Sequence, residues 1–157
     1  MYGSGGIPAV DVRQLRVLTS NAREAPVKVE IRETIVDTDD RGFFAKLADE
    51  AMMRSASNVH LVSLEPEAVR GNHYHENQTE YIWVVGGRVR FIAVDNETGE
   101  TLDAVLEGAV APLVTIPPGI SHAFENIGTG TNHLLCFSRL VSGTWQGDVR
   151  RNVILEK

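Results

Sequence analysis

The amino-acid sequence predicts a single all-β domain, and two observations lead to this prediction. Short runs of β-branched and aromatic residues recur along the chain, and turn-forming residues separate them about every 8–12 residues. No sustained helical period accompanies these runs, so a β-sandwich or β-barrel is expected. The chain has 157 residues, which is enough to bury one core without a second domain.

The elements can be placed in order along the chain. Residues 27–36 form the first candidate strand, residues 37–42 have the composition of a turn, and residues 43–53 predict a strand followed by a helical turn. Further strands are predicted at 58–64, 80–85, 88–94, 100–106, 113–116, 122–124 and 131–141. Residues 1–24 contain a Gly-Ser-Gly-Gly run and are expected to be a flexible segment ahead of a barrel over 25–157.

Composition excludes several classes of function. The net charge of −6 opposes nucleic acids and anionic membranes as default partners, because both require a basic surface. No apolar stretch approaches the ~20 residues of a spanning helix. The single cysteine, Cys136, cannot form an internal disulfide and lies in an apolar run, so it is expected to be buried. These features predict a cytoplasmic protein that binds neither nucleic acid nor membrane.

The segment Gly71-Asn72-His73-Tyr74-His75, followed by Glu80, has the pattern of a metal site. On a strand, residues i and i+2 point to the same face, so His73 and His75 project side by side. A turn at residues 77–78 can bring Glu80 back on the neighbouring strand. Two imidazoles and one carboxylate are then placed to share a cation.

A fourth candidate ligand follows in Pro117-Pro118-Gly119-Ile120-Ser121-His122. The prolines and the glycine make a rigid turn before His122, whose strand can lie next to the first histidine pair in an antiparallel barrel. Three imidazoles and one carboxylate suit zinc, iron, nickel, manganese or copper rather than calcium or magnesium, which prefer oxygen ligands. We expect one divalent metal ion, with zinc favoured.

The two segments together resemble the two signature motifs of the cupin superfamily. Residues 71–86 resemble the first motif, and Pro117, Gly119, His122 and Asn126 resemble the second. The resemblance implies a jelly-roll barrel, or double-stranded β-helix, in which His73, His75, Glu80 and His122 hold the metal. Ala111 departs from the pattern, because a glycine usually starts the second motif.

A narrower resemblance is to cupins that act on nucleotide sugars. Asp40-Arg41-Gly42-Phe43-Phe44 and Arg70-Gly71-Asn72-His73-Tyr74 are similar to segments of dTDP-4-dehydrorhamnose 3,5-epimerases. Those enzymes have Gln and Lys at the positions of His75 and Glu80 and work without metal. Residues 116–119 and 125–128 are more similar to the metal-dependent epimerase half of bifunctional capsular-polysaccharide enzymes, which act on UDP-4-keto sugars.

Four other residues are candidates for substrate chemistry. Arg70 and Arg41 carry guanidinium groups that suit bidentate recognition of phosphate or carboxylate. His60 and His133 are candidate proton-transfer groups, because histidine titrates near neutral pH. For each residue the alternative is an ordinary surface, ion-paired or core role.

The resemblance implies an epimerase or isomerase of a nucleotide-linked 4-keto sugar, with a small-molecule substrate and a homodimer as the default assembly. Two other classes stay open at this point. A metal-dependent dioxygenase or lyase would use the same four ligands with open coordination positions. A non-catalytic cupin would use the metal only to brace a small-molecule binding site.

Overall fold

The computed structural model describes residues 27–156, which form two five-stranded antiparallel β-sheets and one separate hairpin. The strands are β1 (Glu30–Arg32), β2 (Val36–Asp39), β3 (Gly42–Ala45), β4 (Asn58–Leu64), β5 (Val69–His75), β6 (Gln78–Val85), β7 (Arg88–Asp95), β8 (Thr101–Glu107), β9 (Leu113–Ile116), β10 (Ile120–Asn126), β11 (Asn132–Leu140) and β12 (Val149–Arg151). A helix, α1, spans Glu50–Ser55, and a single 3-10 turn spans Gly108–Val110. The predicted all-β fold is confirmed.

The chain crosses repeatedly between the two sheets. The first sheet has the order β1-β9-β6-β11-β4, and the second has the order β12-β5-β10-β7-β8. From β4 to β7 the strands alternate between the sheets, and they do so again from β8 to β12. This winding brings β10 to the region of the barrel that holds the consecutive strands β5 and β6.

The core lies between the inner faces of the sheets. Its largest fully buried members include Phe91, Phe124 and Leu64. The rings of Phe91 and Phe124 lie 4.8 Å apart, a geometry in which aromatic pairs attract. Trp83 is also buried, but it belongs to a second cluster with Leu113 and Phe137, against which Met52 of α1 packs.

Cys136 belongs to the inner core, as its apolar neighbours predicted. Only 3% of the residue is exposed. Burial, with a smaller contribution from the Glu80 carboxylate, raises the pKa of the Cys136 thiol to about 12. The thiol therefore stays protonated at neutral pH and behaves as a small apolar group.

Several boundaries differ from those predicted. The expected turn at 37–42 is instead the tight hairpin β2–β3, in which the Arg41 amide donates to Asp39 Oδ1 at 2.9 Å. The expected strand over 27–36 is divided between β1 and β2, whereas the strand and helical turn over 43–53 are confirmed by β3 and α1. Strand β12 was not predicted, because only three residues of a polar segment pair with β5.

Ala111, which occupies the usual glycine position of the second motif, has a left-handed backbone with φ 43°. The turn that glycine would serve is therefore kept, at the cost of strain that a side chain adds in this region. The predicted flexible segment 1–24 lies outside the described residues. Among the helices that the structure describes, none has the length and apolarity needed to span a bilayer.

Candidate metal centre

Four side chains from three strands converge inside the barrel. His73 and His75 lie on β5, Glu80 on β6 and His122 on β10, and one ligand atom from each lies within 4.8 Å of the others. His75, Glu80 and His122 are buried, whereas His73 is partly exposed. The arrangement joins the two sheets, since β6 belongs to one and β5 and β10 to the other. The structure thus brings together the four residues that the sequence predicted as ligands.

The pairing of β5 with β10 fixes three of the four ligands. His73 lies directly opposite His122, and their ring centroids are 4.7 Å apart. Cross-strand partners share a face of the sheet, so both rings point to the interior. The ring of His75, two residues along β5, lies 5.0 Å from that of His73. Glu80 Oε2 completes the set at 3.2 Å from His75 Nε2 and 3.1 Å from His122 Nε2.

A β-bulge interrupts β5 just before the histidines. Gly71 and Asn72 both have positive φ, at 95° and 57°, and the register with β10 shifts by one residue at this point. A Cβ at Gly71 would lie 2.6 Å from the carbonyl oxygen of His122, so glycine lets β5 approach the strand that carries a ligand.

Each of the three imidazoles has an acceptor oxygen within hydrogen-bond distance of Nδ1. The Nδ1 atom of His73 lies 3.2 Å from the Gly71 carbonyl oxygen, and that of His122 lies 3.2 Å from the Ile120 carbonyl oxygen. The Nδ1 atom of His75 lies 2.9 Å from Asp148 Oδ2. Carbonyl and carboxylate oxygens only accept, so each neutral ring donates from Nδ1 and keeps a lone pair on Nε2.

These lone pairs make the cluster fit a cation. Among the described residues, His75 Nε2 and Glu80 Oε2 are buried and have no hydrogen-bond partner. Two acceptors 3.2 Å apart repel each other unless a proton or a metal ion lies between them. Three imidazole nitrogens and one carboxylate oxygen are the donor set of a transition-metal or zinc site.

The electrostatics of the cluster support the same interpretation. Burial alone would raise the pKa of Glu80, but the His122 and His75 imidazoles outweigh it and hold that pKa well below its usual range. Burial also opposes the charged form of His75, yet Glu80 and Asp148 raise its pKa. The pKa of His73 is lowered, chiefly by burial and by the neighbouring His122. Glu80 is thus an anion at neutral pH, ready to bind a cation.

Arg70 shares the interior face with the cluster because of the bulge. Strict alternation would put a residue three positions before His73 on the opposite face. After the register shift, Arg70 lies opposite Phe124, which points into the core. The Arg70 side chain is exposed, so its guanidinium is accessible on the interior side.

The other predicted site residues differ in position. His60 lies opposite Cys136 on β4, shares the inner face of Val62 and Leu64, and is exposed. His133 does not lie at the cluster, because it alternates with the buried residues Leu134 and Cys136 and so points outward from β11, where it is exposed. Its predicted role in proton transfer is not supported by this position.

Arg41 is also apart from the cluster. It lies at the turn of the β2–β3 hairpin, where its guanidinium pairs with Asp39. Both side chains are exposed. The structure therefore gives Arg41 a local role in the turn, and its predicted role in substrate binding stays a prediction.

Three residues near the cluster were not predicted from the sequence. Asp148 contacts His75 from 73 positions along the chain, a separation that no local pattern reveals. Gln78 Nε2 lies 2.5 Å from the same His75 nitrogen. Ser138 lies opposite Glu80 in the β6–β11 register and is 1% exposed. Its alternation with Leu134 and Cys136 is the one sequence signal that could have placed it inside the barrel.

Comparison with known proteins matches most of the described chain to one family. Residues 37–141 match the family described as polysaccharide biosynthesis C-terminal domain. The chain is 27% identical over 131 residues to the spore coat polysaccharide biosynthesis protein SpsL of Bacillus subtilis (strain 168). This alignment covers 78% of this chain and 86% of SpsL.

A second relative is much longer than this chain. UDP-2-acetamido-2,6-beta-L-arabino-hexul-4-ose reductase of Pseudomonas aeruginosa is 30% identical over 92 residues. The match covers 59% of this chain and 24% of that protein, so the matched segment makes up about a quarter of the reductase.

The fold is also that of a solved nucleotide-sugar enzyme. The dTDP-6-deoxy-D-glucose-3,5-epimerase of Legionella pneumophila, solved in complex with dTDP-4-keto-L-rhamnose, superposes with a TM-score of 0.63 at 19% identity. The alignment covers 78% of this chain and 71% of the epimerase. The predicted cupin jelly-roll fold is thereby confirmed.

Proposed function

We infer, since the chain belongs to the polysaccharide biosynthesis C-terminal domain family, that it acts as a metal-dependent epimerase or isomerase of a nucleotide-linked 4-keto sugar. The observation that carries the proposal is the convergence of His73, His75, Glu80 and His122, whose ligand atoms all lie within 4.8 Å of one another. Two of the matched proteins are a hexul-4-ose reductase and a dTDP-sugar epimerase. Both agree with the substrate class proposed for this chain.

The metal would be held by the three imidazoles and the Glu80 carboxylate, with zinc favoured. When bound, it supplies a Lewis acid that polarises a carbonyl group and stabilises the charge formed when a neighbouring proton is removed, an effect worth several kcal/mol. Glu80 contributes the only negative charge of the set, so it offsets part of the charge of the cation.

Arg70 is proposed to bind the nucleotide diphosphate or to orient the sugar. Its guanidinium is accessible on the interior face, and its planar fork matches two phosphate oxygens at once. An arginine at this position can therefore fix the orientation of the phosphate, whereas the flexible ammonium group of a lysine would supply charge alone.

His60 is the proposed acid–base group. It lies on the inner face of the edge strand β4, and its ring is 3.4 Å from the Asn58 side-chain amide. A neutral imidazole there can accept a proton from the carbon next to the carbonyl, and inversion at that carbon then requires a proton from a donor on the opposite face, such as water. Such a positioned base typically contributes about 10²–10⁴ in rate.

Elemental analysis and solvent exchange test this function together. We expect the purified protein to hold about one equivalent of metal and, with a UDP- or dTDP-4-keto-6-deoxy sugar, to exchange a carbon-bound proton for solvent deuterium. Glu80→Gln should lose metal and exchange, since an amide cannot replace the anionic ligand.

His60→Ala and His133→Ala form a matched pair for the same assay. Both variants should retain metal, but only His60→Ala should lose exchange, because His133 lies on the outer face of β11. A metal-loaded protein that exchanges no proton in either nucleotide series would contradict the proposal, and equal loss in both variants would contradict the role of His60.

We also propose that the protein is a homodimer. The β2–β3 hairpin and the segment before it expose large apolar side chains, with Ile35 86%, Phe43 52% and Phe44 67% exposed. An isolated two-stranded hairpin is marginally stable in water, and a second copy could cover this surface. Analytical ultracentrifugation should show a dimer that Phe43→Ser/Phe44→Ser weakens and that the exposed control Val153→Ser does not. A monomeric parent protein would contradict this assembly.

A further inference from the structure

The strand that carries His73 and His75 is held by a segment beyond the matched family range. We define residues 148–155 as the C-terminal arm. Its strand β12 pairs with β5 through Val149 opposite His75 and Arg151 opposite His73. The matched range ends at residue 141, so the family resemblance assigns no role to this arm.

Asn72 holds the rest of the arm against β5 through hydrogen bonds. Its side-chain oxygen accepts hydrogen bonds from the amides of Ile154 and Leu155, both at 3.0 Å, and its side-chain nitrogen donates to the Leu155 carbonyl oxygen at 2.9 Å. The Asn152 amide donates to the Asn72 carbonyl oxygen at 2.9 Å. The arm is thus bonded along the ligand-bearing half of β5.

Asp148, at the start of the arm, reaches the metal centre. Its side chain is 1% exposed. One carboxylate oxygen, Oδ1, accepts from the amides of Glu76 and Asn77 at 3.1 and 2.6 Å, in the turn between β5 and β6. The other, Oδ2, lies 2.9 Å from His75 Nδ1. The two oxygens therefore have separate partners: Oδ1 binds the backbone of the turn, and Oδ2 binds the imidazole of the candidate ligand His75.

We propose that Asp148 is a positioning residue that holds the proton of His75 on Nδ1, turns the Nε2 lone pair toward the cation and thereby makes the C-terminal arm part of the metal site. This inference rests on the metal centre proposed above. A carboxylate only accepts, so the hydrogen bond forms only with the Nδ1–H tautomer. Such outer partners fix ring orientation and increase the basicity of the ligating nitrogen.

Gln78 is compatible with this tautomer. Its side-chain amide lies 2.5 Å from the same His75 nitrogen, and its own oxygen is buried without a partner among the described residues. A rotation of the amide by 180° exchanges its nitrogen and oxygen, so that the oxygen faces the ring N–H. The carboxylate has no such freedom, and it therefore decides where the proton lies.

Asp148→Asn separates the two roles of this residue. The asparagine oxygen can still accept from the Glu76 and Asn77 amides, which leaves its NH₂ group facing His75 Nδ1. This group donates, so it selects the opposite tautomer, in which Nε2 carries the proton and cannot bind a metal. Asp95→Asn is the matched control, because Asp95 is also buried and its Oδ1 accepts from the Glu97 and Thr98 amides of a turn.

Long-range ¹H–¹⁵N spectra of the metal-free full chain at pH 8.5 test the tautomer. We expect the Nδ1–H form of His75 in the parent protein and in Asp95→Asn, and the Nε2–H form in Asp148→Asn. Competition with a chromophoric chelator should show zinc affinity reduced by about 10–100-fold in Asp148→Asn only. Co²⁺ in place of zinc should give an altered visible spectrum in that variant, a change that loss of stability alone would not produce.

Two results would overturn the proposal: an Nε2–H tautomer in the parent protein, or unchanged tautomer and zinc affinity in Asp148→Asn. Failure of the parent protein to bind zinc would instead contradict the metal centre itself. The tautomer measurement uses metal-free protein, so the expected change there would still support the control of His75 by Asp148.

Discussion

Gly71 shows how one residue without a side chain can set the geometry of the whole cluster. Its positive φ begins the bulge that turns Arg70 to the interior, and its missing Cβ allows β5 to approach the His122 carbonyl oxygen. A side chain at this position would act on two ligand strands at once.

We therefore expect Gly71→Ala to weaken zinc binding and to lower the free energy of unfolding by more than about 2 kcal/mol, through backbone strain and the close contact. Gly99→Ala is the control, because Gly99 also has positive φ, at 76°, but nothing lies within 4 Å of an added Cβ. Gly99→Ala should cost only about 1–2 kcal/mol of strain and spare the metal. Isothermal calorimetry and urea unfolding measure the two effects, and equal losses in both variants would argue against the contact.

Cys136 is a second residue whose behaviour follows from its surroundings. Burial beside the Glu80 carboxylate holds its pKa at about 12, and only the thiolate reacts with disulfide reagents. We expect no reaction of the native protein with Ellman's reagent at pH 8 and stoichiometric reaction in concentrated guanidinium. Rapid labelling of the native protein would show that the barrel opens far more readily than its packing indicates.

At the scale of elements, Asn126 joins the end of β10 to two neighbouring segments. Its side-chain nitrogen donates to the carbonyl oxygens of Leu64 and Gly130 at 2.7 and 2.8 Å. Its side-chain oxygen accepts from the Gly128 amide at 2.9 Å and from Asn132 Nδ2 at 2.7 Å. All four hydrogen-bonding positions of this buried amide are filled.

Asn126→Ala should lower the free energy of unfolding by about 2–4 kcal/mol, because it leaves several buried groups unpaired. The exposed Asn58→Ala should change stability by less than about 0.5 kcal/mol. Chemical denaturation measures both, with an unchanged m-value expected. A loss in Asn126→Ala no greater than in Asn58→Ala would show that water replaces these bonds.

The elements also show how far the sequence could predict the structure. Alternation and turn composition located most strands, and the spacing of His73, His75, Glu80 and His122 sufficed to predict the cluster. The position of Arg70 depends on a bulge, which strict alternation cannot reveal. Asp148 acts across 73 residues, and the pairing of β12 with β5 is equally non-local, so neither follows from a local pattern.

For the molecule as a whole, metal binding couples stability to pH. The pKa of His75 is raised in the metal-free protein, so its second proton is retained to higher pH and must leave before Nε2 can bind a cation. The pKa of Glu80 is lowered. Its contribution to stability is therefore complete above the usual carboxyl pKa of about 4.3 and is lost as the pH falls toward the lowered value.

We expect the increase in Tm caused by saturating zinc to be larger at pH 8 than at pH 6, because protons compete for His75 at the lower pH. Differential scanning calorimetry of matched metal-free and zinc-loaded samples measures this difference. In Glu80→Gln the increase should be small at both values. An increase in the parent protein that does not depend on pH would mean that zinc binds elsewhere.

The arm also bears on the order in which the chain folds. His75 and Asp148 are 73 residues apart, so their contact closes a long loop and carries a larger entropy cost than the nearby turn between β5 and β6. We expect His73, His75 and Glu80 to meet first, across that turn, and the last strand to dock afterwards. A cation that enters before that strand docks would lack the restraint of Asp148 on His75, so we expect it to exchange with competing metals more readily than in the folded protein.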